Sequence, residues 1–251
     1  MSLPTVKILS AIIIFILTLL AAWYPFKKRL TTIHHHDFPA GEAMACGVFL
    51  GAGLIHMLSD SNRYFLAQGY DYPIAYLICG STFLFFLLLE HVGTQLKRSK
   101  PGNSDLIAVL SIIMLSVHSL LAGAAVGISD TFLATSTLIL AILAHKWAES
   151  FALAIRINHS TISLRTGMIG FALFALMAPV GILLGSFVNS AIVSAKLFAP
   201  VFTAMAAGTF VYIGTLHGLE RATMIERCCD MKEFGYVIIG FTIMAVVAIW
   251  T

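Results

Sequence analysis

Eight apolar runs, each long enough to cross a bilayer, limit what this chain can fold into more than any motif does. They lie near 7–25, 41–60, 72–95, 105–128, 132–157, 166–191, 196–219 and 234–250, and a helical crossing needs about 20 such residues. Backbone polar groups in hydrocarbon must find partners within their own segment, so runs of this length become helices. Composition agrees: 59% of residues are hydrophobic and 11% charged, with mean hydropathy +0.93, whereas a soluble domain carries about a quarter charged residues. The expected class is an all-α polytopic membrane protein, a single domain over 1–251 whose first partner is the lipid bilayer. No basic stretch resembles a nucleic-acid footprint.

The punctuation fits eight helices. Pro39-Ala40-Gly41, Asp71-Tyr72-Pro73 and Pro101-Gly102-Asn103 precede the second, third and fourth runs. Ser129-Asp130-Thr131 is a minimal link that makes the fourth and fifth runs an antiparallel hairpin. The first run ends in Lys27-Lys28-Arg29 without a small-residue cleavage pattern, so it reads as a retained helix. Cys46, Cys79 and the adjacent Cys228-Cys229 form no CxxC, and neighbouring cysteines seldom bridge each other, so no disulfide framework is expected.

Charge sets the orientation. Lys27, Lys28, Arg29, Lys97, Arg98, Lys100, Arg156, Arg165, Arg221, Arg227 and Lys232 flank one side, and only Lys7, Arg63 and Lys196 the other. Basic loops stay in the cytoplasm, which places both termini outside it and makes 26–40 a cytoplasmic loop. Small residues recur every four positions: Gly47 and Gly51, then Ser119, Gly123 and Gly127, then Gly181 and Gly185. Such rows let backbones approach closely in lipid and are compatible with a homodimer. Pro179 is expected to kink the sixth helix and free a carbonyl.

Polar groups at bilayer depth are expensive and mark functional sites by default. His118 lies in the fourth run, and His145, Lys146 and Glu149 in the fifth. His145 and Glu149 share one helical face. With His118 facing them across the hairpin, three good ligands for a borderline divalent metal converge inside the membrane. The bland reading of each histidine is a satisfied hydrogen-bonding group. Lys146 would repel a metal, but it can serve as counter-ion to Glu149 or stand where a second cation would sit. Ser119 reads as an auxiliary to this site or as a packing residue.

Other polar groups stay open between two readings. His56 and Asp60 are a cation-collecting entrance or a hydrated helix end. His217 and Glu220 are an exit relay or interfacial groups, and Glu90-His91 reads as interfacial. His34, His35 and His36 form a short tract of metal-binding composition or a plain polar loop.

Taken together, these residues resemble the ZIP (Zrt-, Irt-like protein) family of divalent-metal transporters. The likeness is carried by His118-Ser119-Leu120-Leu121-Ala122-Gly123 with Gly127, and by His145-Lys146-Trp147-Ala148-Glu149. Gly47-Val48-Phe49-Leu50 through Asp60, Met177-Ala178-Pro179-Val180-Gly181 and Gly208-Thr209-Phe210-Val211-Tyr212 support it. The resemblance implies eight helices with both ends outside and metal uptake toward the cytoplasm through a site between the fourth and fifth helices. It implies His118, His145 and Glu149 as transport ligands, with alternating access by a helix bundle sliding against a scaffold. Many members also hold a second metal, with acids where this chain has Ala122 and Ala178 and a ligand where it has Lys146. Those departures imply a single-metal site.

The expected function is therefore transport of Zn2+, with Fe2+ or other first-row metals as alternatives, across a cell membrane (plasma or inner). No cofactor beyond the transported metal is implied. The rivals are an intramembrane zinc-dependent hydrolase, disfavoured because HExxH and a second acid are absent, and a non-transporting receptor using the His34 loop. No enzyme is expected.

Overall fold

The structure is a computed structural model that describes residues 2–31, 38–99, 106–191, 197–215 and 231–250. Each apolar run is a helix: α1 (Leu3–Thr31), α2 (Pro39–Ala67), α3 (Ile74–Ser99), α4 (Leu106–Ile128), α5 (Phe132–Asn158), α6 (Leu164–Ala191), α7 (Phe198–Tyr212) and α8 (Met231–Val247). The first seven are long and apolar enough to cross a membrane. Apolar rows such as Ile8, Ile12, Ile16 and Leu20 on α1 face outward, while Lys7, Thr18, His118, Lys146 and Glu149 are buried. Apolar outside and polar inside is the arrangement that hydrocarbon solvent selects. The chain is an all-α polytopic membrane protein.

Packing divides the helices into two groups. Helix α4 lies along α6, and α1 runs beside α5 and α6; α2 lies along α8, and α3 along α7. The groups meet chiefly where α4 crosses α7 and α2 passes α5.

Lipid tails are as apolar as leucine, so helices in a membrane associate through close packing more than through the hydrophobic effect. Gly123 and Gly127 on α4 press against the carbonyls of Ala178 and Ile182 on α6, and Gly181 and Gly185 on α6 press against those of Leu120 and Ala124 on α4. Any Cβ at these positions would collide with backbone. Gly47 on α2 and Gly240 on α8 mesh the same way, against the Val237 and Met44 carbonyls. The small-residue rows that sequence made compatible with a homodimer are thus taken up inside the chain.

Three local features govern where the polar side chains end up. First, α2 is not uniform: Ala52–Met57 forms a π-helical turn between α-helical Pro39–Gly51 and Leu58–Ala67. Such turns carry an extra residue and are frequent at functional sites. Second, α6 continues through Pro179 over its whole length. Third, the α4–α5 link is tied down. Thr131 accepts a hydrogen bond from the Ala134 amide at 3.2 Å and so caps α5, and Ser129 and Thr135 join through their hydroxyls at 2.6 Å. The buried Lys7 ammonium donates to the Gly127 carbonyl at 2.6 Å, a cation placed at the negative end of α4.

Candidate metal centre

The capped hairpin sets His118 and His145 at similar depth. At 1.5 Å rise per residue they lie about 15 and 20 Å from the link, near the middle of a core about 30 Å thick. His145 and Glu149, four residues apart, face the same way on α5. His118 Nε2 and His145 Nε2 each lie 3.4 Å from Glu149 Oε1, and the three side chains are at most 1% exposed. One potential ligand atom from each falls within 4.8 Å of the others.

The Glu149 carboxylate divides its two oxygens. Oε2 accepts from the Lys146 ammonium at 2.8 Å and from the Ser119 hydroxyl at 3.1 Å, and Lys146 also donates to Ser119 at 2.6 Å. Oε1 faces only the imidazoles. His118 Nε2 and both ring nitrogens of His145 have no hydrogen-bond partner, an expensive condition for buried polar atoms. Lys146 sits 4.4 Å from the Phe174 ring centroid, a cation–π contact that completes its surroundings. Its charge balances that of Glu149, so the sequence reading of Lys146 as counter-ion matches its contacts.

Helix α7 supplies two groups that sequence reasoning missed. The Ala206 carbonyl lies 3.3 Å from His118 Nδ1, and the Phe210 ring stacks on the His118 imidazole with centroids 3.8 Å apart. A backbone carbonyl carries no sequence signature, and Phe210 is one phenylalanine among 18.

Cavities lie on either side of the cluster. One of about 680 Å³ is lined by His56, Asp60, Arg63, Asp130, Thr131 and Thr203. A second, of about 80 Å³, is lined by Glu42, Cys46, Phe49, Ser111, Arg156 and His159. Along α4, α5 and α7 the cluster residues fall between those lining the two cavities. In the wider cavity His56 Nδ1 lies 3.0 Å from Asp60 Oδ2, while Arg63 binds Asp60 Oδ1. Sequence reading found the His56–Asp60 pair and missed Arg63, whose spacing of three on the same helix was the available signal. Glu90, read as interfacial, accepts a hydrogen bond from the buried Tyr212 hydroxyl. His217 and Glu220, and His34, His35 and His36, lie outside the described residues.

Two unpartnered imidazole nitrogens and one carboxylate oxygen suit a borderline divalent cation. A tetrahedral Zn2+ with bonds of about 2.0–2.1 Å holds its donors about 3.3–3.4 Å apart. The two measured separations have that length.

Comparison with known proteins agrees with this chemistry. The profile of the family described as ZIP Zinc transporter matches residues 5–105 and 97–248. Zinc transporter ZIP2 of Mus musculus is 28% identical, over 98% of this chain and 98% of its own length. Zinc transporter ZIP2 of Homo sapiens is also 28% identical, over 82% and 84%. Zinc transporter 11 of Arabidopsis thaliana is 26% identical, over 99% of this chain and 86% of its own.

Proposed function

The chain belongs to the ZIP zinc transporter family, and we propose that it moves Zn2+ into the cytoplasm through one intramembrane site formed by His118, His145 and Glu149. Membership makes it a membrane transporter of divalent metal and not an enzyme, which sets aside the hydrolase. Zn2+ as the cargo of this chain, ahead of Fe2+ or another first-row ion, is our reading. It draws on the names of the relatives and on a donor set of two imidazoles and one carboxylate.

The observation that carries the proposal is the approach of two unpartnered imidazole nitrogens to one carboxylate oxygen at 3.4 Å, inside a buried cluster. A cation there supplies the partner those atoms lack, and a water completes its shell. The Lys146 ammonium, bound to Oε2, stands where a second cation would sit, which supports a single-metal site. Lys146 and Glu149 cancel, so the cluster bears no net negative charge to trap the cation. That favours release.

The two helix groups support alternating access by one sliding against the other, with His118, His145 and Glu149 all on the α1–α4–α5–α6 group. In the orientation drawn from the basic loops, the cavity of about 680 Å³ opens to the outside and the narrow one faces the cytoplasm. His56 and Asp60 then flank the entrance. His217 and Glu220 as an exit, and the His34 loop as a cytoplasmic metal receiver, extend the reading from sequence. The membrane is taken to be the cell's plasma or inner membrane.

Uptake of Zn2+ into proteoliposomes tests the proposal. Wild-type protein accumulates the ion, and His145→Ala, folded, does not. Undiminished flux through the folded His145→Ala variant overturns it.

A further inference from the structure

We infer that α7 positions His118 for the cation from the opposite helix group, with Phe210 as the positioning residue and the Ala206 carbonyl as the acceptor that sets the tautomer; this rests on the transport reading of the same site. A carbonyl can only accept, so the 3.3 Å contact assigns the His118 proton to Nδ1. Nε2 then keeps its lone pair, and Nε2 is the atom facing Glu149 Oε1. The Phe210 ring lies over the imidazole, tilted by only 20°, and so opposes its rotation. Phe210 also meets His145 edge-on with centroids 4.9 Å apart and packs on Phe49 at 5.1 Å. Ala206 and Phe210 are four residues apart, one above the other on a single face of α7.

Helix α7 is itself held close to α2 by the π-helical turn. A methyl on Gly53 would lie 3.3 Å from Phe210 Cβ and 3.2 Å from the Ala207 carbonyl, so glycine leaves α7 the space to approach. His118 and His145 ride on one helix group, while Ala206 and Phe210 ride on the other. Displacing one group past the other removes the acceptor and the stacking ring together. His118 then loses both its fixed tautomer and its fixed orientation. Affinity is thereby tied to the register of the two groups, and the cation is held less tightly once they have moved.

The test uses the full chain purified in detergent, with Zn2+ titrated calorimetrically and the histidine ring nitrogens read by 15N NMR without metal. Phe210→Leu keeps apolar bulk and loses the flat face; its dissociation constant rises roughly tenfold or more, as for other groups that orient metal-binding histidines. Its His118 signal, identified by its disappearance in His118→Gln, changes from a single Nδ1-protonated tautomer to a mixture. Phe210→Tyr restores both readings. Phe86→Leu, a buried aromatic packed against Tyr212 away from the cluster, changes neither. If Phe210→Leu does not fold, Gly53→Ala displaces the same ring by a few tenths of an ångström and shifts both readings in the same direction. Unchanged affinity and tautomer in the folded variant, while His145→Ala still abolishes binding, overturn this inference alone. A wild-type chain that binds no Zn2+ overturns the transport reading beneath it.

Discussion

Two carboxylates in this molecule share one local pattern and meet opposite fates. Glu149 follows a histidine by four residues and has a cation three before it; Asp60 follows a histidine by four and has a cation three after it. Glu149 is 1% exposed, and its Oε1 faces two imidazoles that have no other use for their Nε2 atoms. Asp60 is 25% exposed, with His56 on one oxygen and Arg63 on the other. The difference is one of solvation. In the buried cluster each polar atom is costly until partnered, so an absent partner amounts to affinity for a cation. Beside the wide cavity, water and an exposed guanidinium satisfy the carboxylate, and an arriving cation has to compete for it. The pattern marks both places, but burial decides which one can hold an ion.

The largest expected effect breaks the buried member. His145→Ala leaves Glu149 with its Lys146 partner and removes one donor, so Zn2+ uptake in proteoliposomes falls to background while the thermal midpoint stays near wild type. A comparable loss on Asp60→Asn would erase the contrast between the two carboxylates.

Next comes Lys146→Met, which strands Glu149 as a buried charge. Breaking a buried pair from one side costs about 3–5 kcal/mol, so thermal unfolding without metal shifts well downward. Zn2+ replaces the lost positive charge, and the stabilisation by added Zn2+ therefore exceeds that of wild type. Equal metal-induced shifts in the two proteins would return Lys146 to a packing role.

Asp60→Asn has a milder consequence. It removes one charge at the entrance and raises the uptake KM severalfold with little change in maximal rate, because only the encounter is weakened. Smallest is Arg63→Gln. An exposed ion pair is worth about 0–1 kcal/mol, so stability hardly moves, yet Asp60 Oδ1 is released and KM falls. A rise in KM would show that Arg63 assists the cation and does not compete with it.

How far such contrasts can be read from sequence depends on which physical rule makes them. Helical spacing placed His145 and Glu149 on one face, and the short Ser129–Thr131 link brought α4 against α5; both are local and both appear in the structure. The glycine rows were legible as close-approach faces, but not their partners, since Gly123 and Gly127 meet α6 and Gly47 meets α8 across long stretches of chain. Arg63 escaped notice because His56 and Asp60 alone seemed to complete a pair. The π-helical turn was invisible, because Ala52-Gly53-Leu54-Ile55-His56-Met57 suits an α-helix equally well and the extra residue follows from packing against α7. Pro179 pointed to a kink, whereas α6 runs on through it.

The turn at Ala52–Met57 bears on what kinds of genetic change the protein tolerates. Each residue of an α-helix advances it by about 100°. Deleting one residue between Ala52 and Met57 would heal the π turn into ordinary helix and cost little backbone hydrogen bonding. It would also swing everything from Leu58 to Ala67 about a third of the way round, turning Asp60 and Arg63 off the cavity they now line. Substitution scanning along this stretch passes over that vulnerability, and a one-residue deletion exposes it.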